Sequence, residues 1–287
     1  MEFLKMKKLI AGLIILTCAF STQATERLVV AGGSLTELIF AMGAGNRVVG
    51  VDETTSYPPE TAALAHIGYW KQLNSEGILS LHPSGFITWQ DAGPQLVLDQ
   101  LRRQKVNVVT LTRVPATVEQ MYANIRQLAN TLQIPEQGDA LVSRIHQRLE
   151  RVQRSVKSKN TPVKALFILS AGGSAPQVAG KGSVADAILS FAGAENVATH
   201  QQYQSYSAES LIAANPQFIV VTSQMVDGDL NRLRAIAGIT HTAAWKNQRI
   251  VIVDQALILG MGPRVVDAVE YLHQQFFAPI NGFDVDL

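Results

Sequence analysis

Cysteine is almost absent from the sequence, since Cys18 is the only one among 287 residues. It lies in an N-terminal segment that we expect to be removed, so the remaining chain has no disulfide and no cysteine nucleophile. An excess of either charge is missing too, with 24 basic residues against 23 acidic ones. A near-neutral chain offers no clustered basic face, and we therefore expect no nucleic acid partner.

Enzyme signatures are also missing. The sequence contains no Gly-x-Ser-x-Gly elbow, no His-Glu-x-x-His pair and no Walker loop. Its six histidines are scattered, and no two of them have the spacing of a metal site. The glycines at 172–173 and 180–182 lack the spacing of a nucleotide-binding fingerprint and are interpreted as turns before helices or as part of a cleft wall. These absences favour a protein that binds a ligand without catalysing a reaction.

Long apolar runs are confined to the N-terminus. Three lysines precede an apolar run over residues 9–20, which is followed by the small residues Thr22 and Ala24. This layout predicts a secretory signal peptide, residues 1–24, cleaved after about Ala24. The run falls short of the roughly 20 residues that cross a bilayer, so an uncleaved anchor is the weaker alternative. Cleavage leaves 21 basic and 22 acidic residues, a formal charge of −1, and we expect an exported, soluble chain.

Short β-branched runs alternate with helical segments after the signal. Leu28–Ala31 reads as a strand, and Ser34 with Glu37 forms a capping box for a helix over residues 35–42. Further strands are predicted at 47–51, 85–88 and 107–111, with a helix over 94–104. Alternation of this kind is typical of parallel sheets.

A long helical segment interrupts this pattern. From Glu136 to Lys157, apolar residues at 141, 145, 149 and 152 recur at helical spacing. A helix of 22 residues is roughly 33 Å long, which is enough to bridge two lobes. An ordinary surface helix of one large domain is the alternative that periodicity alone leaves open. We divide the chain into an N-terminal lobe (25–134), a linking helix (135–159) and a C-terminal lobe (160–287).

The two halves contain a repeat. The segment from Glu76 to Pro83 aligns with the segment from Glu209 to Pro216, with apolar residues at the same offsets and a predicted strand after each. Strand-helix alternation also returns after residue 164, with a helix over 183–191, strands at 218–221 and 250–253, and a last helix over 265–277. The repeat on both sides of a long helix favours two similar lobes.

The segment from Gly68 to Leu73 is the best candidate for a ligand site. It places Tyr69, Trp70 and Lys71 in a loop after a predicted strand, where open α/β sheets bind their ligands. A ferric ion can displace the phenolic proton, which makes tyrosine a hard oxygen ligand for iron and an axial ligand for heme. The alternative is that both aromatic side chains simply pack against the lobe.

The whole chain after the signal resembles the class III periplasmic binding proteins of ABC importers, which carry vitamin B12, iron-siderophores and heme. The resemblance rests on residues 31–43, the Tyr57-Pro58-Pro59-Glu60 turn, the long helix and the glutamate-to-proline repeat. Residues 68–77, 180–183 and 259–264 resemble the heme-binding members in particular. The implied fold is α/β, with two Rossmann-like lobes, parallel-type sheets and a single long interdomain helix.

The resemblance implies a periplasmic carrier and not an enzyme. Its cargo would be heme b, and Tyr69 would be the axial iron ligand. Trp70, Lys71, Met261 and Arg264 would contact the ligand, and some relatives have arginine at the position of Lys71.

Glu76 and Glu209 match the pair that docks on the inner-membrane permease, which works with its ATPase. We expect a monomer. It would bind one heme, because residues 169–172 contain no histidine for a second heme. A siderophore or vitamin B12 is the alternative cargo, and a heme-processing enzyme is the alternative from another class.

Overall fold

The computed structural model describes residues 26–159, 161–170 and 175–277. The predicted signal peptide and the tail after Phe277 lie outside these residues. In the part of the chain that is described, none of the helices combines the length and apolar character needed to cross a bilayer.

A five-stranded parallel sheet forms the centre of the N-terminal lobe, here residues 26–134. Its strand order is β3-β2-β1-β4-β5, and the bounds are β1 Leu28–Ala31, β2 Val48–Val51, β3 Ala65–His66, β4 Gly85–Trp89 and β5 Asn107–Leu111. β1 and β4 are buried along their whole length, as expected for strands that are covered on both faces. The strand order reverses between β1 and β4, and open sheets bind ligands at the carboxyl ends of the strands beside such a point.

Four helices cover this sheet: α1 Gly33–Ala41, α2 Ser75–Leu79, α3 Gln95–Arg103 and α4 Val118–Thr131. The predicted capping box of α1 is wrong. Gly32 is the N-cap residue, with no side-chain cap, and its N–H donates to the Asp52 carboxylate at 3.0 Å. Gly32 has a φ of +142°, and a Cβ there would lie 2.6 Å from Trp89 Nε1, so a side chain is excluded. Glu37 binds an arginine of the other lobe instead.

The linking helix, α5, runs over Pro135–Lys157 and has 23 residues, a length of about 35 Å. The predicted apolar face is confirmed, because Leu141, Ile145, Leu149 and Val152 are all buried. On another face, Arg148 donates to two carboxylates of the last helix at 2.6–2.7 Å. This helix therefore packs on both lobes, whereas the exact limits of the lobes stay a prediction.

The C-terminal lobe, here residues 161–170 and 175–277, contains a six-stranded sheet with the path β11-β10-β6-β7-β9, and β8 pairs with β6. The strands are β6 Val163–Ser170, β7 Gln177–Ala179, β8 Ala194–Asn196, β9 Tyr203–Ser205, β10 Phe218–Thr222 and β11 Ile250–Val253. The predicted strands β6, β10 and β11 are parallel to one another, and the unpredicted β8 pairs parallel with β6. β7 and β9, which were not predicted as strands, pair antiparallel at one edge of this otherwise parallel-type sheet.

Six helices complete this lobe: α6 Val184–Phe191, α7 Ala208–Ala214, α8 Ser223–Val226, α9 Ala243–Lys246, α10 Gln255–Leu259 and α11 Val265–Phe277. One buried apolar cluster runs from the N-terminal sheet through α5 into α6 and α11. A second cluster fills the other face of the C-terminal sheet. The continuous first cluster joins the two lobes through packed side chains.

The sequence repeat corresponds to a repeated backbone. Glu76 lies in α2 and Glu209 in α7, each followed by a central strand of its sheet. The residue before each proline, His82 or Asn215, has left-handed backbone angles, with φ of +48° and +37°. The two segments are therefore equivalent in conformation as well as in sequence.

Candidate functional site

A cavity of about 990 Å³ lies between the lobes. The N-terminal lobe lines it with residues that follow β1, β3 and β5, including Ser34, Tyr69 and Arg113. The C-terminal lobe contributes residues of β9 and of the loop after α10, including Tyr203 and Met261. The cavity thus occupies the carboxyl ends of the N-terminal strands, where the strand order predicts a ligand.

Tyr69 offers the most accessible aromatic surface in this cavity. Its side chain is 36% exposed, whereas Trp70 and Trp89 in the same wall are only 7% and 5% exposed. Tyr69 meets Trp70 edge-on, with ring centroids 5.7 Å apart and an angle of 64° between the rings. Packing of this kind limits the orientations of the phenol. The loop therefore presents the Tyr69 ring to the cavity, while Trp70 is mainly a packing residue.

Trp70 supports two cations. The Lys71 ammonium lies 4.8 Å from the centre of its ring, and the Arg113 guanidinium lies 5.2 Å from it. Distances below about 6 Å give a favourable attraction between a cation and an indole. The prediction that Trp70 covers a flat ligand gains little from this geometry, because the ring is buried beside these two cations.

Asp91 connects the same two cations. Its carboxylate accepts a hydrogen bond from Arg113 Nη2 at 2.7 Å, and the Lys71 ammonium is 3.7 Å away. Burial raises the pKa of Asp91, but the hydrogen bond and charge of Arg113, together with Lys71, outweigh it and hold this pKa below its usual value. Lys71, Arg113 and ionised Asp91 form a group with a net charge of +1, which we call the cationic cluster.

Arg113 was not predicted from the sequence. It lies two residues after the end of β5, at the edge of the parallel sheet where ligands bind. That position was the available signal, because residues that follow the strands of an open parallel sheet line the crevice in which ligands bind.

The opposite wall contains Tyr203 on β9. Burial raises the pKa of Tyr203 to about 12, although the charge of Arg113 opposes this effect. The hydroxyl of Tyr203 therefore keeps its proton at neutral pH. Met261, predicted to contact a ligand, lines the cavity and is 9% exposed.

Arg264 was predicted to contact the ligand, and in the structure it contacts the other lobe. The guanidinium donates two hydrogen bonds to Glu37, at 2.5 and 2.8 Å, and lies 4.0 Å from the centre of the Tyr57 ring. Glu37 lines the cavity and Arg264 does not. The donors that were expected to meet a ligand are used in a contact between the lobes.

Glu76 and Glu209 are exposed and lie in the first turns of α2 and α7. Asn74 caps one helix and Ser207 caps the other by accepting backbone N–H groups of the first turn. The backbone N–H of Glu209 itself and the Ser207 hydroxyl lower the pKa of this carboxyl. Each lobe thus carries one glutamate at the start of a short helix.

Metal binding by clustered side chains receives no support in the described residues, which contain no group of three or more His, Cys, Asp or Glu suited to a metal ion. Two of the histidines are hydrogen-bonded inside the fold: His200 to Tyr206 and Val178, and His273 to Ala192 and Ser155. The loop in which a second heme-binding histidine was sought lies partly outside the described residues, at 171–172.

Residues 28–257 match the family model described as periplasmic binding protein. The chain belongs to this family. Its fold is that of a class III periplasmic binding protein, a substrate-binding component of ABC importers. The sequence-based predictions of family and fold class are therefore confirmed.

Several solved structures similar to this family member are named as heme-binding proteins, and another is named as a vitamin B12-binding protein. The periplasmic heme-binding protein RhuT of Roseiflexus sp. RS-1, in apo form, has a TM-score of 0.84 and 34% identity, covering 88% of this chain and 98% of that one. A periplasmic heme-binding protein from Pseudomonas aeruginosa has a TM-score of 0.83 and 32% identity, covering 90% and 95%. By sequence, the vitamin B12-binding protein of Pectobacterium carotovorum subsp. carotovorum is 25% identical over 275 residues, 94% of each chain.

Proposed function

We propose that this periplasmic binding protein carries heme to an inner-membrane ABC importer, with Tyr69 as the ligand to the iron. The proposal rests above all on one observation: an accessible phenol lies in the same cavity as the cationic cluster. Heme is a flat apolar molecule that combines a ferric ion with two carboxylates. The cavity contains a chemical partner for each part.

The phenol suits the iron. Ferric ion prefers hard oxygen donors, and tyrosine is an established axial ligand of heme iron. The phenolic proton leaves when the metal binds, as the proton of a coordinating water or thiol does. Tyr203, which burial keeps protonated, is suited instead to donate a hydrogen bond to the cargo.

The cationic cluster suits the carboxylates. Arginine forms two parallel hydrogen bonds with a carboxylate, and lysine adds a compact point charge. Asp91 holds both cations beside Trp70 before a ligand arrives, which reduces the entropy lost on binding.

Vitamin B12 is the main rival, because relatives with 25–26% identity carry that name. The side chains around its corrin ring are neutral amides, so they gain little from two cations, and its cobalt has no need of a phenolate. A siderophore carrier would use several arginines, and among the described residues that line the cavity Arg113 is the single one. Solved structures that are named as heme-binding proteins share 32–34% identity with this chain, and this similarity favours heme.

Delivery to the importer would use Glu76 and Glu209. Two exposed carboxylates on two rigid lobes define an orientation and attract a basic partner surface. The pKa of the Glu209 carboxyl is lowered by its own backbone N–H and by the Ser207 hydroxyl, which favours its ionised form.

Titration with hemin and with cyanocobalamin tests the cargo. We expect hemin to give a stable ferric high-spin spectrum with a phenolate-to-iron charge-transfer band, and cyanocobalamin to bind at least tenfold more weakly. Tyr69→Phe should abolish the band, whereas Tyr271→Phe, at an exposed tyrosine of α11 outside the cavity, should keep it. A band that survives in Tyr69→Phe contradicts the assignment of the ligand. Tighter binding of cyanocobalamin contradicts the cargo, and chemical conversion of the bound porphyrin would indicate an enzyme.

A further inference from the structure

Glu37 and Arg264 join the two lobes directly. Glu37 lies on α1 of the N-terminal lobe, and Arg264 lies in the turn before α11 of the C-terminal lobe. Two parallel hydrogen bonds connect them, Nε to Oε2 at 2.8 Å and Nη2 to Oε1 at 2.5 Å. Within the described residues, this ion pair alone links one lobe to the other without passing through the linking helix.

The backbone around this pair is closely packed. A Cβ placed on Gly260 would lie 3.0 Å from the Ser34 Cβ, and one placed on Gly262 would lie 3.1 Å from it. The loop of the C-terminal lobe therefore rests against the first turn of α1. Burial of the Glu37 carboxylate, which is 7% exposed, removes it from competing water.

This contact belongs to the wall of the cavity. Ser34, Glu37, Gly260 and Met261 all line it. A second contact between the lobes is weaker, a single backbone hydrogen bond of 3.3 Å from Ala116 N–H to Gly182 C=O. Of these two contacts between described residues of the two lobes, only the first contains charged side chains.

Arg264 is held on a second side. Its guanidinium lies 4.0 Å from the centre of the Tyr57 ring, an attraction that fixes the plane of the fork. Opening the cavity at this wall separates Glu37 from Arg264. Each side chain then lacks its hydrogen-bond partner until water takes that place. The closed arrangement is favoured by that cost.

We propose that the Glu37–Arg264 pair is a latch that holds the lobes together and slows the escape of the ligand. The residues act on the ligand through the position of the α10–α11 loop and Met261. The part of this proposal that concerns heme release rests on the proposed function, and the part that concerns lobe closure does not.

Lobe closure is measurable without any ligand. The chain from residue 25 onward contains no cysteine, so Arg103→Cys on α3 and Ala213→Cys on α7, both at exposed positions, allow one spin label on each lobe. Pulsed electron resonance then gives the distribution of distances between the labels. We expect Glu37→Gln to broaden the distribution toward longer distances. Asp139→Asn, which breaks the exposed pair with Arg126, should leave it unchanged.

Ligand escape is measured by the transfer of heme to excess apomyoglobin. We expect Glu37→Gln and Arg264→Gln to increase the dissociation rate of heme at least tenfold, equivalent to about 1.4 kcal/mol. The effect should lie in this rate and not in the association rate. Arg264→Lys, which retains the charge without the fork, should fall between these variants and the unmodified protein. The double variant should lose heme no faster than either single variant, because the two residues act through each other.

The outcomes are distinct. An unchanged distance distribution in Glu37→Gln, with a melting temperature equal to that of the unmodified protein, overturns the latch. Multiplicative effects in the double variant also overturn it, since they would indicate independent contributions. Failure of hemin to bind the unmodified protein would contradict the proposed cargo and leave the spin-label test of the latch intact.

Discussion

Replacement of Arg113 by glutamine should weaken heme binding, because it removes the cation of the cationic cluster that can form two parallel hydrogen bonds with a carboxylate. A hydrogen bond to a charged group contributes about 1.5–3 kcal/mol. The Arg113 side chain is 26% exposed and already shares its charge with Asp91, so we expect a loss near the lower limit. A loss of about 1.4 kcal/mol corresponds to a tenfold increase in Kd.

Esterified heme separates charge from packing in this test. Hemin dimethyl ester has the same ring and iron as hemin and no free carboxylate. We expect the unmodified protein to bind the diester about tenfold more weakly than hemin, and Arg113→Gln to bind both with similar affinity. Arg102→Gln is the matched control, because Arg102 forms an exposed pair with Asp99 outside the cavity.

The assay is equilibrium titration followed by the Soret absorbance, at low salt and at 1 M salt. At 1 M, screening acts over about 3 Å, and the difference between hemin and its diester should shrink. Equal weakening of hemin and diester by Arg113→Gln would refute the reasoning. In that case Arg113 would contribute by packing on Trp70 and not by its charge.

Two further outcomes are expected. Glu76→Lys and Glu209→Lys should leave the affinity for hemin unchanged, because both residues are exposed and outside the cavity lining. Each substitution should reduce importer-dependent heme uptake at least tenfold. Normal uptake by the variant that carries both substitutions would show that these residues are not part of the docking surface. X-ray scattering curves of the apo and heme-bound forms should superimpose, because the buried apolar cluster is continuous from the N-terminal sheet through the linking helix into α11. A large difference between the two curves would contradict a rigid connection between the lobes.

Local patterns carried the prediction of most of the fold. The linking helix was recognisable because its apolar residues recur at helical spacing over six turns, and the central strands because both their faces are buried. β7 and β9 were missed because each has three residues, too few for any periodicity to be visible. Their antiparallel pairing depends on partners that the local sequence does not specify.

Long-range contacts explain the errors at the site. Glu37 has the spacing of a capping residue relative to Ser34, but its partner is 227 residues away. Arg264 was expected to contact the ligand because residues 259–264 resemble the heme-binding members, and nothing near it in sequence indicates the carboxylate across the cleft. Its contact with the ligand stays a prediction. The position of Tyr69 in the cavity was predictable because it depends on strand order alone.

The glutamates proposed to dock on the importer lie on the same short segments of chain as the cavity tyrosines. Tyr69 precedes Glu76 by seven residues, and Tyr203 precedes Glu209 by six. Each segment leads from the wall of the cavity to a capped helix at the surface of its lobe. A partner that binds both glutamates therefore acts on both walls through a few residues, and separating the lobes by this route must also break the Glu37–Arg264 pair. If an importer binds both glutamates in this way, a strong latch is compatible with release of the ligand, because the ion pair is broken beside the cavity while the linking helix and its continuous core need not bend.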